Sequence, residues 1–456
     1  MDIITQKDEI EGYINKFFKE YRIGSILSES NFNKEKGIST VFLLKFIFKL
    51  VFTGKNLYRF LQTEEIGVAK DSVYRFLNSC RYNWKKLLLL LSCKVIKWIT
   101  SLTSEERIKV LILDDSLYSR SRSKAVELLA RVYDHVEHKY YRGFRMLTVG
   151  WSDGATFMPL TFSLLSSENE ENRFCEEKAG LDKRSNGYKR RVESTKKATE
   201  VLFNLLAEVT NYKVAAQYIL FDSWFAYPSI IIGTLKYGIN TICMLKDTPK
   251  IFYKYNGKDM VLNKIYNVVR KNRGKAKILA SVIVELGRDE EGKLVKGKIV
   301  FVREKSGGNN WLALLSSDIT LSEEEIIRIY GKRWDIEVFF KITKSYLKLA
   351  KEFQGRSYDA MIAHTTIVFL RYIMLSVEKR NNEDSRTIGD LFYHCCDEIR
   401  DIKFIEALLL LIDILTEKLR RFLYLPEKKA QEFMSNFISS LPLFIKVRIP
   451  FSLCES

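Results

Sequence analysis

The sequence predicts an α/β fold: a mixed sheet carrying a β-rich insertion, flanked by helical N- and C-terminal regions. Three observations predict it. Short apolar runs at residues 108–113, 218–221 and 240–245 have the length of buried strands, and the first two end at aspartates. A hairpin signal, Ser152-Asp153-Gly154, joins two more strand-like runs at residues 144–151 and 156–165, so that three strands precede an alternation of helices and strands. Before residue 106 and after residue 352 the apolar spacing is helical.

The chain has 456 residues, which suggests two to four domains, and its Lys+Arg 74 against Asp+Glu 56 leave a net charge of +18 spread over most of the length. A basic excess of that size in a globular chain points to a polyanionic partner. The longest apolar runs, at residues 41–52, 87–91 and 407–412, are interrupted or flanked by Lys45, Lys49, Lys94, Glu406 and Asp413, so no segment is expected to span a bilayer. The N-terminus lacks the apolar core of a signal peptide, and a cytoplasmic protein is expected.

The seven cysteines are odd in number and mostly scattered. Cys395 and Cys396 follow His394, but no second pair completes a zinc site. His135 and His138 could pair on a helix yet lack a third ligand, and Ser116 and Ser223 follow aspartates with no histidine nearby, which leaves a serine nucleophile unsupported.

Taken in order, residues 1–105 read as short helices joined by Gly or polar turns. The last of them bears Lys70, Tyr74 and Arg75, which suits a helix-turn-helix reader of DNA; an ordinary small bundle fits the pattern equally well. Residues 106–247 form the first part of the sheet, with Asp114 and Asp222 at strand ends, the edge where open α/β sheets place ligands. Between its strands a basic stretch, residues 183–197, reads either as a solvated linker or as a track for a phosphate backbone. It leads into a helix from about residue 194 to 209. Residues 248–320 favour strands separated by Gly/Asp/Lys turns, the β-rich insertion. Thr320 to Glu325 supply an N-cap and an acidic first turn for a helix in residues 321–352. Residues 353–456 read as a helical region suited to dimer contacts, or to a core of its own.

That closing helix carries the chemistry. If it is continuous from Tyr330 to Lys344, then Tyr330, Arg333, Glu337 and Lys344 share one narrow stripe, while Ile329, Ile336, Phe339 and Phe340 occupy the adjoining arc and can face a core. Alone, such a stripe is an ordinary solvated face. With Asp114 and Asp222, Glu337 makes a third carboxylate, and three carboxylates converging on a point would bind two divalent ions. Mg²⁺ suits the task because it takes oxygen ligands and relies on substrate phosphate to complete its shell. Arg333 would then grip a phosphate by a bidentate fork and Lys344 as a point charge.

The spacing Tyr330-x2-Arg333-x3-Glu337-x6-Lys344 resembles the Tyr-Arg-Glu-Lys signature of DDE-type insertion-sequence transposases of the group named after insertion sequence four. Leu113-Asp114-Asp115-Ser116, Phe221-Asp222-Ser223-Trp224-Phe225 and a β-rich insertion before the glutamate are also similar to that group. The resemblance covers residues 106–352. It implies a ribonuclease H-like catalytic core and cut-and-paste DNA transposition: metal-dependent cleavage at transposon ends, then transfer of the strand into target DNA. It assigns Asp114, Asp222 and Glu337 as ligands of two Mg²⁺ or Mn²⁺ ions, and Tyr330, Arg333 and Lys344 as DNA contacts. Trp334 is placed either to stack on a flipped base or to pack in the core. Implied partners are double-stranded DNA and, on DNA ends, a second copy of the chain; the setting is a bacterial cytoplasm, at the nucleoid. Either Asp114 or Asp115 could be the first ligand, since strand alternation turns only one toward the site; related folds place the acid two residues before Ser or Thr, which favours Asp114. A ribonuclease H-like nuclease without strand transfer, and an inactive DNA-binding derivative, are the alternatives.

Overall fold

The computed structural model describes residues 4–381, except 35, 55, 64–66, 105, 135–136, 273–275, 304–309 and 354, together with Lys429, Phe433, Asn436 and Phe437. The helical tail expected beyond residue 381, with its dimer contacts, and His135, His394, Cys395, Cys396 and Cys454 therefore lie outside the described residues.

Helices α1 (Ile4–Glu20), α2 (Ile23–Glu29), α3 (Thr40–Leu50), α4 (Leu57–Thr63), α5 (Lys70–Leu77) and α6 (Trp84–Ser101) open the chain. The Ser39 hydroxyl caps α3 by accepting from the Phe42 N–H, and Asn83 caps α6 by accepting from the Lys86 N–H. Their apolar faces do not form a private bundle. They share one continuous core with the sheet, in which Ser92 of α6 donates to the carbonyl of Pro159 at 2.7 Å.

Strands β1 (Val110–Ser119), β2 (Ala130–Asp134), β3 (Lys139–Ser152) and β4 (Phe157–Leu165) follow, then α7 (Asn186–Ser194), α8 (Ala198–Asn211), β5 (Tyr218–Phe221), α9 (Pro228–Leu235) and β6 (Asn240–Leu245). β3 runs antiparallel to both β1 and β4, whereas β5 is parallel to β1 and β6 parallel to β5. The spatial order β4-β3-β1-β5-β6, three antiparallel strands and then two parallel ones, is a mixed α/β sheet consistent with a ribonuclease H-like fold. β1 is longer than its apolar run predicts. It continues through Asp114, Asp115 and Ser116 to Ser119, because its polar half stays paired with β3.

The insertion comprises β7 (Tyr253–Tyr255), β8 (Lys258–Met260), α10 (Leu262–Val268), β9 (Ile278–Arg288), β10 (Leu294–Arg303) and β11 (Trp311–Ser316). β11 pairs with β6, so the insertion lengthens the core sheet. Asn256 and Gly257, both with positive φ, turn β7 into β8. His138 stands in a turn into β3 at φ 53°, not on a helix.

Helices α11 (Glu323–Gly331), α12 (Trp334–Ser345) and α13 (Tyr358–Asn381) close the described chain. Among the described residues α13 is long and apolar enough to cross a membrane, contrary to the reading of the apolar runs; here it is buried from Tyr358 to Val377, packed against α3, α5, α6, α12 and β4. Its charged groups are met inside the protein. Arg371 pairs with Glu352 at 2.6 Å and donates to the carbonyls of Phe48 and Ile47, while Asp359 pairs with Arg190 and Arg191.

Candidate active site

α12 is oriented by its apolar arc. Ile336, Phe339, Phe340 and Ile342 are buried, as is Ile329 on α11, and the Phe339 ring lies 5.0 Å from Phe157 and 4.8 Å from both Phe369 and Tyr372. Burying one such ring contributes about 1.5–3 kcal/mol, enough to fix which face the helix presents. The polar stripe is thereby turned along β1.

On β1, alternation separates the two aspartates. Asp114 Oδ2 accepts from Arg333 at 3.2 Å, while Asp115 Oδ2 accepts from Arg145 of β3 at 2.7 Å. Ser116, in phase with Asp114, accepts from Lys344 at 2.6 Å. β1 pairs with β5 in the register Val110↔Tyr218, an offset of 218 − 110 = 108, and 222 − 114 is also 108. Asp222, the residue just past the end of β5, therefore stands level with Asp114. Its Oδ1 accepts from the Trp224 N–H at 3.0 Å, which fixes the carboxylate at the strand end.

The stripe does not lie on one continuous helix. Lys332 and Arg333 form a junction between α11 and α12 in which Arg333, Asp335 and Ile336 bond three residues back, to Tyr330, Lys332 and Arg333. The β3–β4 hairpin and the residues before β1 hold this junction: Lys332 donates to the carbonyls of Asp153 and Ile108, and Ser152 donates to Asp335 at 2.5 Å. Tyr330 lies on α11 with its ring 5.9 Å from the Arg333 guanidinium. Trp334 is 62% exposed, which excludes the core-packing role.

Arg333 donates to Glu337 at 2.5 Å as well as to Asp114, so one guanidinium bridges two of the three expected ligands. Among the described residues no three His, Cys, Asp or Glu side chains are already drawn together as a metal cage; the Arg333 guanidinium lies between Asp114 and Glu337. Burial, then the charges of Asp222 and Asp115, push the Asp114 carboxyl up to about 8 against the opposing pull of Arg333. Burial raises Asp222 too, with the Trp224 amide working against it. Burial lowers Lys344, partly offset by Asp134 and Asp115. In Arg333 burial is outweighed by Tyr330, Asp114 and Glu337, and its value rises.

The centre is therefore short of positive charge even with Arg333 in place. Its donors are hard carboxylate oxygens, and the set Asp114, Asp222 and Glu337 fits a divalent cation of the Mg²⁺ or Mn²⁺ kind.

Two other expectations changed. The basic stretch at residues 183–197 is not uniformly solvated: Arg190 and Arg191 are buried, with Arg191 holding Glu127 at 2.6 Å and Asp359 at 2.8 Å. Sequence reasoning also passed over residues 119–124, Ser-Arg-Ser-Arg-Ser-Lys, although the alternation of hydroxyl and cation was a usable signal; they leave β1 at its end, five residues beyond Asp114.

Residues 50–256 match the family model described as DDE superfamily endonuclease, and residues 189–374 match the one described as transposase DDE domain. The first span contains Asp114 and Asp222, the second Asp222 and Glu337. The two matches support a transposase or endonuclease that acts on nucleic acid, in families that generally use divalent metal ions. No curated protein matches the chain.

Proposed function

We propose that the chain is a DNA transposase of the insertion-sequence-four type, cleaving strands at transposon ends and transferring the freed 3′ ends into target DNA. The observation that carries this reading is the level placement of Asp114 and Asp222 beside the Arg333–Glu337 pair of α12. Asp114, Asp222 and Glu337 would hold two Mg²⁺ or Mn²⁺ ions, whose chemistry there would be to neutralise charge on the scissile phosphate and on the attacking and leaving oxygens.

The chain's own groups position the DNA. Arg333 exchanges its carboxylate partners for a phosphate, which its planar fork can grip through two oxygens. Lys344 holds a second phosphate, Tyr330 supplies a hydroxyl from α11, and exposed Trp334 is available to stack on an unpaired base. The helical N-terminal region contacts duplex DNA, and two copies of the chain, acting in the cytoplasm, bring two transposon ends together.

The test incubates purified protein with DNA bearing the ends of its element, a target plasmid and Mg²⁺, and sequences the products. Transposon ends joined to target support the transposase. Cleavage without joining establishes instead the endonuclease named by the first family match. No cleavage under any divalent cation overturns both.

A further inference from the structure

Beyond the carboxylates, β1 runs five residues from Asp114 to Ser119, about 17 Å at the usual rise, and opens into a cleft of about 830 Å³. One wall is the β1 exit, with Ser119, Arg120, Arg122 and Lys124; the other is the turn after α12, with Lys351 and Arg356. No carboxylate is among its described lining residues.

The cleft is built rather than incidental. The Arg120 guanidinium donates to the carbonyls of Ala350 (3.2 Å), Phe353 (3.4 Å) and Gly355 (2.8 Å), tying the turn to the strand. None of these partners carries charge, so the guanidinium keeps its full positive field. The turn itself holds Lys348 and Ala350 at φ 54° and 62°, a conformation that costs about 1 kcal/mol or more per non-glycine residue. Lys351 lies close enough to Lys344 for its charge to be felt there, after burial and the charges of Asp134 and Asp115.

We propose that this cleft binds the sugar-phosphate backbone of a single DNA strand leaving the carboxylates. The proposal rests on the reading of those carboxylates as a DNA-cleaving centre. Alternating hydroxyls and cations match phosphate oxygens. The described lining has no exposed aromatic ring to stack on a base, so recognition is by backbone and independent of sequence. The volume of the cleft matches a few nucleotides of one strand. At the rise of a stacked strand, the 17 Å from Asp114 reaches the cleft after about five nucleotides.

The probe is a fluorescein-labelled duplex of about 20 bp with a single-stranded thymidine extension of about 8 nucleotides, compared with the same duplex blunt. Wild type should bind the extended probe about tenfold more tightly at low salt. The variant Arg122→Ala/Lys351→Ala/Arg356→Ala, in which all three side chains are exposed, should lose that advantage while binding the blunt duplex as before. For the extended probe its slope of log affinity against log salt should fall by about 2, three cations at about 0.7 each. The charge-keeping variant Arg122→Lys/Lys351→Arg/Arg356→Lys should restore both. An alanine variant that keeps the advantage, or weakens on both probes alike, overturns the cleft assignment. Mg²⁺-dependent cleavage by wild type against Asp222→Ala is measured in parallel: wild type that cleaves without favouring the extension removes the cleft alone, and wild type that does not cleave removes the underlying reading.

Discussion

Asp114 on β1 and Asp222 just past the end of the parallel β5 stand level, because the β1–β5 pairing offset and their separation in sequence are the same 108 residues. That proximity has a pH signature. Burial and the charges of Asp222 and Asp115 push the Asp114 carboxyl up to about 8 in the folded chain, from an ordinary value of 3.8. The folded state therefore binds the proton more tightly than the unfolded one. Stability from this group is full below pH 4 and is lost as pH rises toward 8, at about 1.4 kcal/mol for each pH step between the two values. In EDTA, the melting temperature of Asp114→Asn should overtake that of wild type progressively between pH 5 and 8. Parallel curves would refute the coupling.

Arg333 holds the place between Asp114 and Glu337 that a cation would bridge. Arg333→Gln removes a positive charge from a centre already short of it, so the metal-free variant should melt lower than wild type. Added Mn²⁺ should then raise its melting temperature by more than it raises that of wild type. An equal or smaller metal effect would show that Arg333 and the cation do not compete.

Arg191 is enclosed by Glu127 and Asp359, with 1% of its side chain exposed, and it ties α7 to the start of α13. Arg191→Met leaves Glu127 without its guanidinium and Asp359 with Arg190 alone. Urea unfolding should report a loss of about 3–5 kcal/mol. A loss under about 1 kcal/mol would mean that Arg190 takes over both acids.

Gly143 pairs with Ser119 at the far end of β1, and a Cβ there would meet the Tyr118 carbonyl oxygen at 2.3 Å. Gly143→Ala should cost about 1–3 kcal/mol or more by forcing β1 from β3. Gly12→Ala is the contrast: nothing lies within 4 Å on α1, and the helix should gain about 0.5–1 kcal/mol. Equal effects in thermal melts would contradict the steric account.

The legible parts of this fold were those written in local periodicity. β5 and β6 were read to the residue because short apolar runs are bounded by Asp222 and by the turn at Gly238. The buried arc of α12 followed from helical spacing. The second half of β1 was missed because its residues are polar, and only their pairing with β3 makes them strand. The α11–α12 junction was invisible because Lys332 and Arg333 both have helical backbone angles. What holds the junction is remote, the contacts of Lys332 with Ile108 and of Asp335 with Ser152. Arg191 read as part of a solvated linker or of a phosphate track, and not as buried, because its partners lie 64 and 168 residues away.

The central claim is that Asp114, Asp222 and Glu337 form the reactive set and that Asp115 serves the Arg145 pair on the other face. Single-turnover cleavage of terminal DNA in Mg²⁺, with each acid changed to alanine in turn, tests it most directly. Asp114→Ala, Asp222→Ala and Glu337→Ala should each lose about 10²–10³-fold or more, with Asp115→Ala within about tenfold of wild type. An inactive Asp115→Ala beside an active Asp114→Ala would contradict the account.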